Sequence, residues 1–382
     1  MREITIGDKK IGDGQPALII AEAGSNHDGK LQQAKKLIDV AKSAGADAIK
    51  FQFFNADSLY PQSVGKIPIG SVTTDFFELL KKNEVPKKWL TILKDYAEKK
   101  DLLFLCSCFD EESADSLNDI GILAHKIASP ELNHIPLIKH IAKKEKPMII
   151  STGLSLLGEI EETLQICGNN TKNSHVVLLH CVSAYPTPLS QCNLNVIKTL
   201  KMVFGIPVGF SDHTTDPICA PLTAVALGAD VIEKHFTLSR NLPGPDHSFA
   251  LKPDELKRMV DLIKSCERSP DPMKFAGDLI GRQKMKKLMG SGKKIIAPAE
   301  KPLYPNDKRS IHAIRNIKKG EPFLKSNIRV LRSERNLVPG IHPRYFDIIL
   351  GKVATTDIRY GDGISWNMLL SEKRIPIETL KG

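Results

Sequence analysis

Two short stretches hold the residues best suited to chemistry. "GFSDHTTDPICA" spans Gly209–Ala220 and "VIEKHFTLSR" spans Val231–Arg240. Each places a histidine, His213 or His235, at the end of a short apolar run. Imidazole suits Mn, Fe, Co or Zn. Two imidazoles aimed at one point would hold a divalent ion. The remaining positions would stay open for water, substrate or a carboxylate, as a catalytic site requires. The plain alternative is two histidines making ordinary hydrogen bonds. The polar neighbours in "SDH" and "EKH" argue against an apolar core.

Lys50, Lys126 and Lys234 also lie in or at the end of apolar runs. A lysine in a buried strand is costly unless paired or functional. Converging amines would bind a phosphate or carboxylate, with Ser107, Ser129, Ser183 and Ser211 as hydrogen-bond donors. A second reading has one amine form a Schiff base, as in a lysine aldolase using pyruvate. A third reading pairs the lysines with strand carboxylates such as Glu22 and Glu233. Other polar residues at run ends are Asn26, His27, Gln52, Ser151, Thr152, His180, Tyr185, Asp212, Asp246 and His247. Cys106 and Cys108 in "LCSCF" read as packing, because no distant CxxC accompanies them.

These residues need a scaffold that gathers strand ends. The first two-thirds of the chain supplies one. Apolar runs at "ALIIAEA", "AIKFQFF", "LLFLCSC", "AHKIAS", "PMIIST", "HVVLLHC", "PVGFSD" and "VIEKHF" each precede a helical pattern. Continuous apolar strands alternating with helices imply a parallel sheet covered on both faces. Eight such units over roughly 270 residues fit a closed (β/α)8 TIM barrel, whose active site lies at the carboxyl ends of the strands. An open doubly wound sheet is the runner-up. Its first turn would carry GxGxxG, and "AEAGSNHDG" does not.

The pattern changes after about Arg268. "SPDPMKFAGD" is turn-rich, and the basic run that follows is broken by Gly and Pro, which reads as a connector. From Ser310 the segments are short, and "IHAIRNIKKGEPF" and "KVATTDIRYGDGI" share a loose theme. The expected organisation is a barrel over 1–280, a linker over 281–309 and a small β-rich domain over 310–382. The chain of 382 residues has 41% hydrophobic residues and a formal charge of +10. No apolar stretch is long enough to span a membrane. No aromatic residues interleave with the basic clusters in the manner of nucleic-acid binding. Seven scattered cysteines and no signal-peptide core point to a reducing cytoplasm.

In order along the chain stand "IIAEAGSNHDG", "AIKFQFF", "HKIAS", "CVSAYPTP", "GFSDHT", "IEKHFTL" and "PGPDHSFAL". With these motifs the chain resembles the sialic acid synthase (N-acetylneuraminate synthase) family, close to its spore coat polysaccharide branch. The tail resembles that family's antifreeze-like (SAF) domain. The resemblance implies condensation of phosphoenolpyruvate with an N-acetylmannosamine-type sugar to a nine-carbon sialic (nonulosonic) acid. It implies His213 and His235 as ligands of Mn2+, with Mg2+ or Co2+ possible, and Glu22 as the group for proton work. It assigns Lys50, Ser107, Lys126, Ser129, Ser183 and Ser211 to phosphoenolpyruvate, and Gln52, Tyr185 and Asp246 to the sugar. It also implies a domain-swapped homodimer in which an arginine of the small domain enters the partner's mouth. Arg332 matches best and Arg335 is the second candidate. Some members carry Asn where this chain has Ser183.

Overall fold

Side chains alternate between the two faces of a strand, so each apolar run here faces both a barrel interior and a helical layer. In the computed structural model, which describes residues 3–69, 72–168, 175–334 and 336–369, the strands close into that barrel. They are β1 (Leu18–Gly24), β2 (Ala48–Phe53), β3 (Leu103–Cys108), β4 (His125–Ile127), β5 (Met148–Ser151), β6 (Val176–Cys181), β7 (Val208–Asp212) and β8 (Val231–His235). All neighbours are parallel, and β8 pairs back onto β1. The outer helices are α1 (Leu31–Ala44), α2 (Lys87–Glu98), α3 (Glu111–Asp119), α4 (Ile135–Ala142), α5 (Leu157–Ile166), α6 (Val196–Phe204), α7 (Cys219–Ala226) and α8 (Pro253–Glu267). The (β/α)8 expectation holds strand by strand.

Outward positions such as Ile19, Phe51, Phe104, Cys106, Cys108, Ile150 and Phe210 pack with the helices in one core. Cys106 and Cys108 are packing residues there. The inward positions divide by height. The lower interior is apolar, with Leu18, Ile20, Ala48, Leu105, Ile149, Val177, Leu179 and Val231. A hairpin of Ile4–Ile6 and Lys9–Ile11 adds Ile4, Ile6 and Ile11 to this cluster and stoppers the amino end of the barrel. The upper interior is polar and holds the site.

The connector differs from its expectation. It contains α9 (Pro272–Ile280) and α10 (Arg282–Met289). Asp271 caps α9 by accepting from the Lys274 amide, and Pro272 fills its first position. Gly281 separates two helices too short for a sustained period. The small domain follows with β9 (Arg309–Ala313) paired antiparallel to β10 (Ile328–Arg332). Its core includes Ile311, Ile317, Phe323, Ile328, Ile349, Ile358 and Ile364. The two copies of the loose theme meet each other through the Ile317–Ile358 bridge. Among the described residues, no helix is long and apolar enough to cross a membrane.

The small domain docks on the carboxyl end of the barrel through a buried arginine. Arg309 Nε donates to Glu131 Oε1 at 2.9 Å, and its other nitrogens donate to the carbonyls of Ser58 at 2.7 Å and Phe109 at 2.9 Å. Those acceptors lie in the loops after β4, β2 and β3. The docking covers one side of the mouth.

Three buried histidines tie stability to pH. Burial lowers His27 and His125 to about 4 and His180 to about 3, against about 6.5 in the unfolded chain. The unfolded chain therefore binds the extra protons between those values. The stabilisation is complete above pH 6.5 and is lost as pH falls toward 4. His125 has no hydrogen-bond partner at either ring nitrogen. His125→Leu is expected to flatten the loss of stability to urea between pH 7 and pH 4.5 by roughly 2 kcal/mol. Equal pH slopes for parent and variant would contradict this account.

Candidate active site

Strand register places the site. Glu22 stands opposite Lys50 and His235, Gln52 opposite Ser107, and Ser107 opposite Lys126. Ser211 stands opposite Cys181 and Glu233. All these side chains share the inward parity, so they form one polar tier above the apolar interior.

The tier is organised by charge. Lys50 Nζ lies 2.9 Å from Glu22 Oε2 and 3.8 Å from Glu233 Oε2, and it donates to Ser107 Oγ at 3.2 Å. Lys126 Nζ lies 3.7 Å from Glu233 Oε1 and donates to Ser151 Oγ at 2.7 Å. Ser211 Oγ donates to Glu233 Oε1 at 2.9 Å, and Gln52 Nε2 donates to Glu22 Oε1 at 2.9 Å. Thus Lys50 and Lys126 converge, and both are paired with carboxylates in the absence of ligand. Burial opposes charge on Glu233, yet Lys126 and Lys50 hold its carboxyl below the ordinary range. Burial, reinforced by Glu233, raises Glu22. Burial lowers Lys126, whereas Glu22 and Glu233 outweigh burial at Lys50 and raise it.

Lys234 departs from expectation. It has outward parity, between the inward Glu233 and His235, and pairs with Asp212 at 2.5 Å and the Thr214 carbonyl. It braces the ends of β7 and β8 and does not join the other lysines. His180 is outward too and bonds the Cys192 carbonyl at 2.7 Å.

His213 and His235 share the mouth, with ring centroids 5.6 Å apart. His213 Nδ1 donates to the Val182 carbonyl at 2.9 Å, which leaves Nε2 as the acceptor. Burial, then the charge of His213, keeps His235 neutral by lowering it well below its usual value. Its buried Nδ1 has no partner. Metal–nitrogen bonds of about 2.0–2.2 Å put two ring centroids on one ion roughly 5–6 Å apart. The pair fits a divalent ion by donor type and spacing. Among the described residues no group of three or more His, Cys, Asp or Glu gathers as a complete set, so water or substrate would fill the remaining positions.

Tyr185 stacks on His213 at 4.1 Å and contacts His235 and Phe249. Asp246, on the loop after β8, meets Glu22 and Gln52 across Gly24: a Cβ at Gly24 would lie 3.0 Å from Asp246 Oδ2 and 3.3 Å from Gln52 Nε2. Burial, then Glu22, pushes Asp246 up to about 6. On the other side, a Cβ at Gly153 would lie 2.2 Å from Ser183 Oγ and 2.9 Å from Ser129 Oγ. The Gly153 amide donates to Ser129 Oγ at 2.9 Å. Two hydroxyls therefore close on the bare Cα of Gly153, an approach that only glycine permits.

Arg332 binds Glu131 of its own chain at 2.6 and 2.7 Å, beside the Tyr60 and Phe109 rings. It is close enough for its charge to act on Tyr185. It thus stands at the rim of its own barrel. Arg335 lies outside the described residues.

The NeuB family model matches residues 37–272, and the SAF domain model matches 308–370. The chain belongs to the NeuB family. It is 43% identical to spore coat polysaccharide biosynthesis protein SpsE of Bacillus subtilis, over 97% of this chain and 98% of that one. It is 40% identical to the N,N'-diacetyllegionaminic acid synthase of Campylobacter jejuni, over 90% of this chain and 97% of that protein. The crystal structure of Bacillus subtilis SpsE superposes with a TM-score of 0.82 at 41% identity, covering 97% of this chain and 100% of that one. NeuB relatives thus include acid synthases, and the polar tier is the feature such an activity would need.

Sequence reasoning passed over Glu131, Arg309, Lys294 and Glu300. Arg309 and Glu131 form the docking pair. Lys294 and Glu300 lie on the connector, buried behind Cys181, where burial lowers the Lys294 ammonium. No periodic signal marks a buried polar side chain in an irregular segment. Gly153→Ala forces both serine hydroxyls to shift and is expected to lose stabilisation by inorganic phosphate, read as the phosphate-dependent rise in melting temperature. A variant that keeps the parent's rise would show that the serine pair takes no anion.

Proposed function

We propose that this chain condenses phosphoenolpyruvate with an N-acetylmannosamine-type amino sugar, giving a nine-carbon sialic (nonulosonic) acid and phosphate for a surface or spore coat polysaccharide. The observation that carries the reading is the meeting of two amines, a pair of serine hydroxyls and two imidazoles at one barrel mouth. Lys50 and Lys126, with Ser107 and Ser211, receive the substrate carboxylate. Ser129 and Ser183 receive the phosphate across Gly153. Gln52, Tyr185, Asp246 and Arg332 wall the sugar side.

A divalent ion held by His213 and His235, Mn2+ above all and Mg2+ or Co2+ in its place, would supply Lewis-acid polarisation of the sugar aldehyde. The protein's groups do the rest. Carbon 3 of phosphoenolpyruvate bonds to the aldehyde carbon, and the aldehyde oxygen takes a proton. Water adds at carbon 2, the carbon–oxygen bond to phosphate breaks, and carbon 2 is left as the keto group. Glu22, raised by burial and registered against His235, holds the proton that reaches the sugar oxygen. The ammonium groups stabilise charge as phosphate departs. The family resemblance extends the reading to a cytoplasmic homodimer in which small domains are exchanged, releasing Arg332 from Glu131 toward a sugar.

One observation favours a second reading. Burial lowers Lys126, as a Schiff-base lysine requires. Borohydride with pyruvate separates the two readings, because only the aldolase would retain a covalent adduct.

The test is a panel of amino sugars with phosphoenolpyruvate and Mn2+, followed by phosphate release and product mass. Phosphate release is expected with at least one mannosamine-type sugar, with a product heavier by one pyruvate unit. Excess EDTA should abolish turnover and Mn2+ restore it. His213→Ala should lower turnover on the order of 100-fold or more. EDTA-resistant turnover in that variant equal to the parent's would remove the ion from the reaction.

A further inference from the structure

The serine pair proposed for phosphate is framed by three successive turns, with Ser129 after β4, Gly153 after β5 and Ser183 after β6. Gly153 and Leu154 follow β5, and Ser183 follows β6. A residue from neither strand joins them. Glu300, on the connector and 1% exposed, accepts at Oε1 from the Leu154 amide and from the Ser183 amide, each at 2.8 Å. Its Oε2 accepts from the Ala297 amide at 2.9 Å. Leu154 has φ 53°, a left-handed conformation that a leucine rarely adopts and that the surroundings must hold in place.

The geometry points to Glu300 as a positioning residue for the phosphate end of the site, an inference that rests on the function proposed above. One carboxylate oxygen sets the distance between the turn bearing Gly153 and the turn bearing Ser183. Through the Gly153 amide, which donates to Ser129 Oγ, it also sets the spacing of the Ser183 and Ser129 hydroxyls. Charged hydrogen bonds are short and directional, so a carboxylate holds two amides more firmly than a neutral acceptor. It also occupies the Leu154 and Ser183 amides. The serine hydroxyls are thereby left as the donors to phosphate. A mere tether of connector to barrel would need one such bond. Glu300 makes two to the barrel, and both fall on turns beside the serine pair.

The test is titration of the full-length protein with phosphoenolpyruvate, inorganic phosphate and pyruvate, read by thermal shift and calorimetry. Glu300→Ala is expected to weaken phosphoenolpyruvate and phosphate about tenfold or more. Pyruvate, which lacks the phosphate, should stay within twofold because the lysine end is untouched. Glu300→Gln retains one oxygen for Leu154 and Ser183 and should recover to within about threefold of the parent. A purely structural role would lower the melting temperature without separating the phosphate ligands from pyruvate, and that result overturns the inference. Should Glu300→Ala fail to fold, Glu300→Asp withdraws the carboxylate by one methylene. It is expected to weaken phosphoenolpyruvate about threefold, and unchanged binding there overturns the inference. A parent protein that binds no phosphoenolpyruvate overturns the proposed function and this inference together. A parent that binds it, beside an equally competent Glu300→Ala, overturns the inference alone.

Discussion

Lys50 and Lys126 carry two ammonium groups into the barrel, and Glu22 and Glu233 balance them there. Removing one partner from a buried ion pair leaves an uncompensated charge, at a cost of about 3–5 kcal/mol. The four side chains therefore behave as a unit. Ligand binding in this tier is an exchange: an anion approaching the lysines must compete with carboxylates already in place. Glu233, between both amines, sets the strength of that competition. The opposed shifts of Glu22 and Glu233 follow from the same arrangement, because Glu233 is bracketed by two amines while Glu22 has one and a carboxylate neighbour.

Much of this tier was legible in the sequence. Eight apolar runs gave the barrel, and strand ends gave Glu22, Lys50, Ser107, Lys126, Ser211, His213 and His235. Strict parity would have given more. In "VIEKH", Glu233 and His235 share one face and Lys234 takes the other. The same rule sets Ser211 and His213 inward and Asp212 outward. Lys234 and Asp212 were thus bound to meet on the helix side of the sheet. Period two also settles Cys106 and Cys108, which flank the inward Ser107.

What stayed hidden lacks a period. The Ile4–Ile11 hairpin is too short to read as part of a core, yet it completes the apolar half of the barrel. Glu300 and Lys294 come from a segment broken by Gly and Pro, and the barrel amides that Glu300 holds stand more than a hundred residues away. Arg309 looks like one more basic residue in "NDKRS". Only the folded chain shows that it ends at Glu131.

Glu131 receives Arg309 and Arg332 together. Two guanidinium groups thus share one carboxylate beside the aromatic rings of Tyr60 and Phe109. Arg309 is additionally fixed by backbone carbonyls on two loops, whereas Arg332 has Glu131 and the side chains of Tyr60 and Phe109. The first is therefore the fixed half of the docking joint and the second its replaceable half. A substrate or partner chain offering an acceptor at the rim can draw Arg332 away without leaving Glu131 unpaired, because Arg309 still neutralises it. The geometry thus lets the small domain stay attached while its rim arginine changes partners.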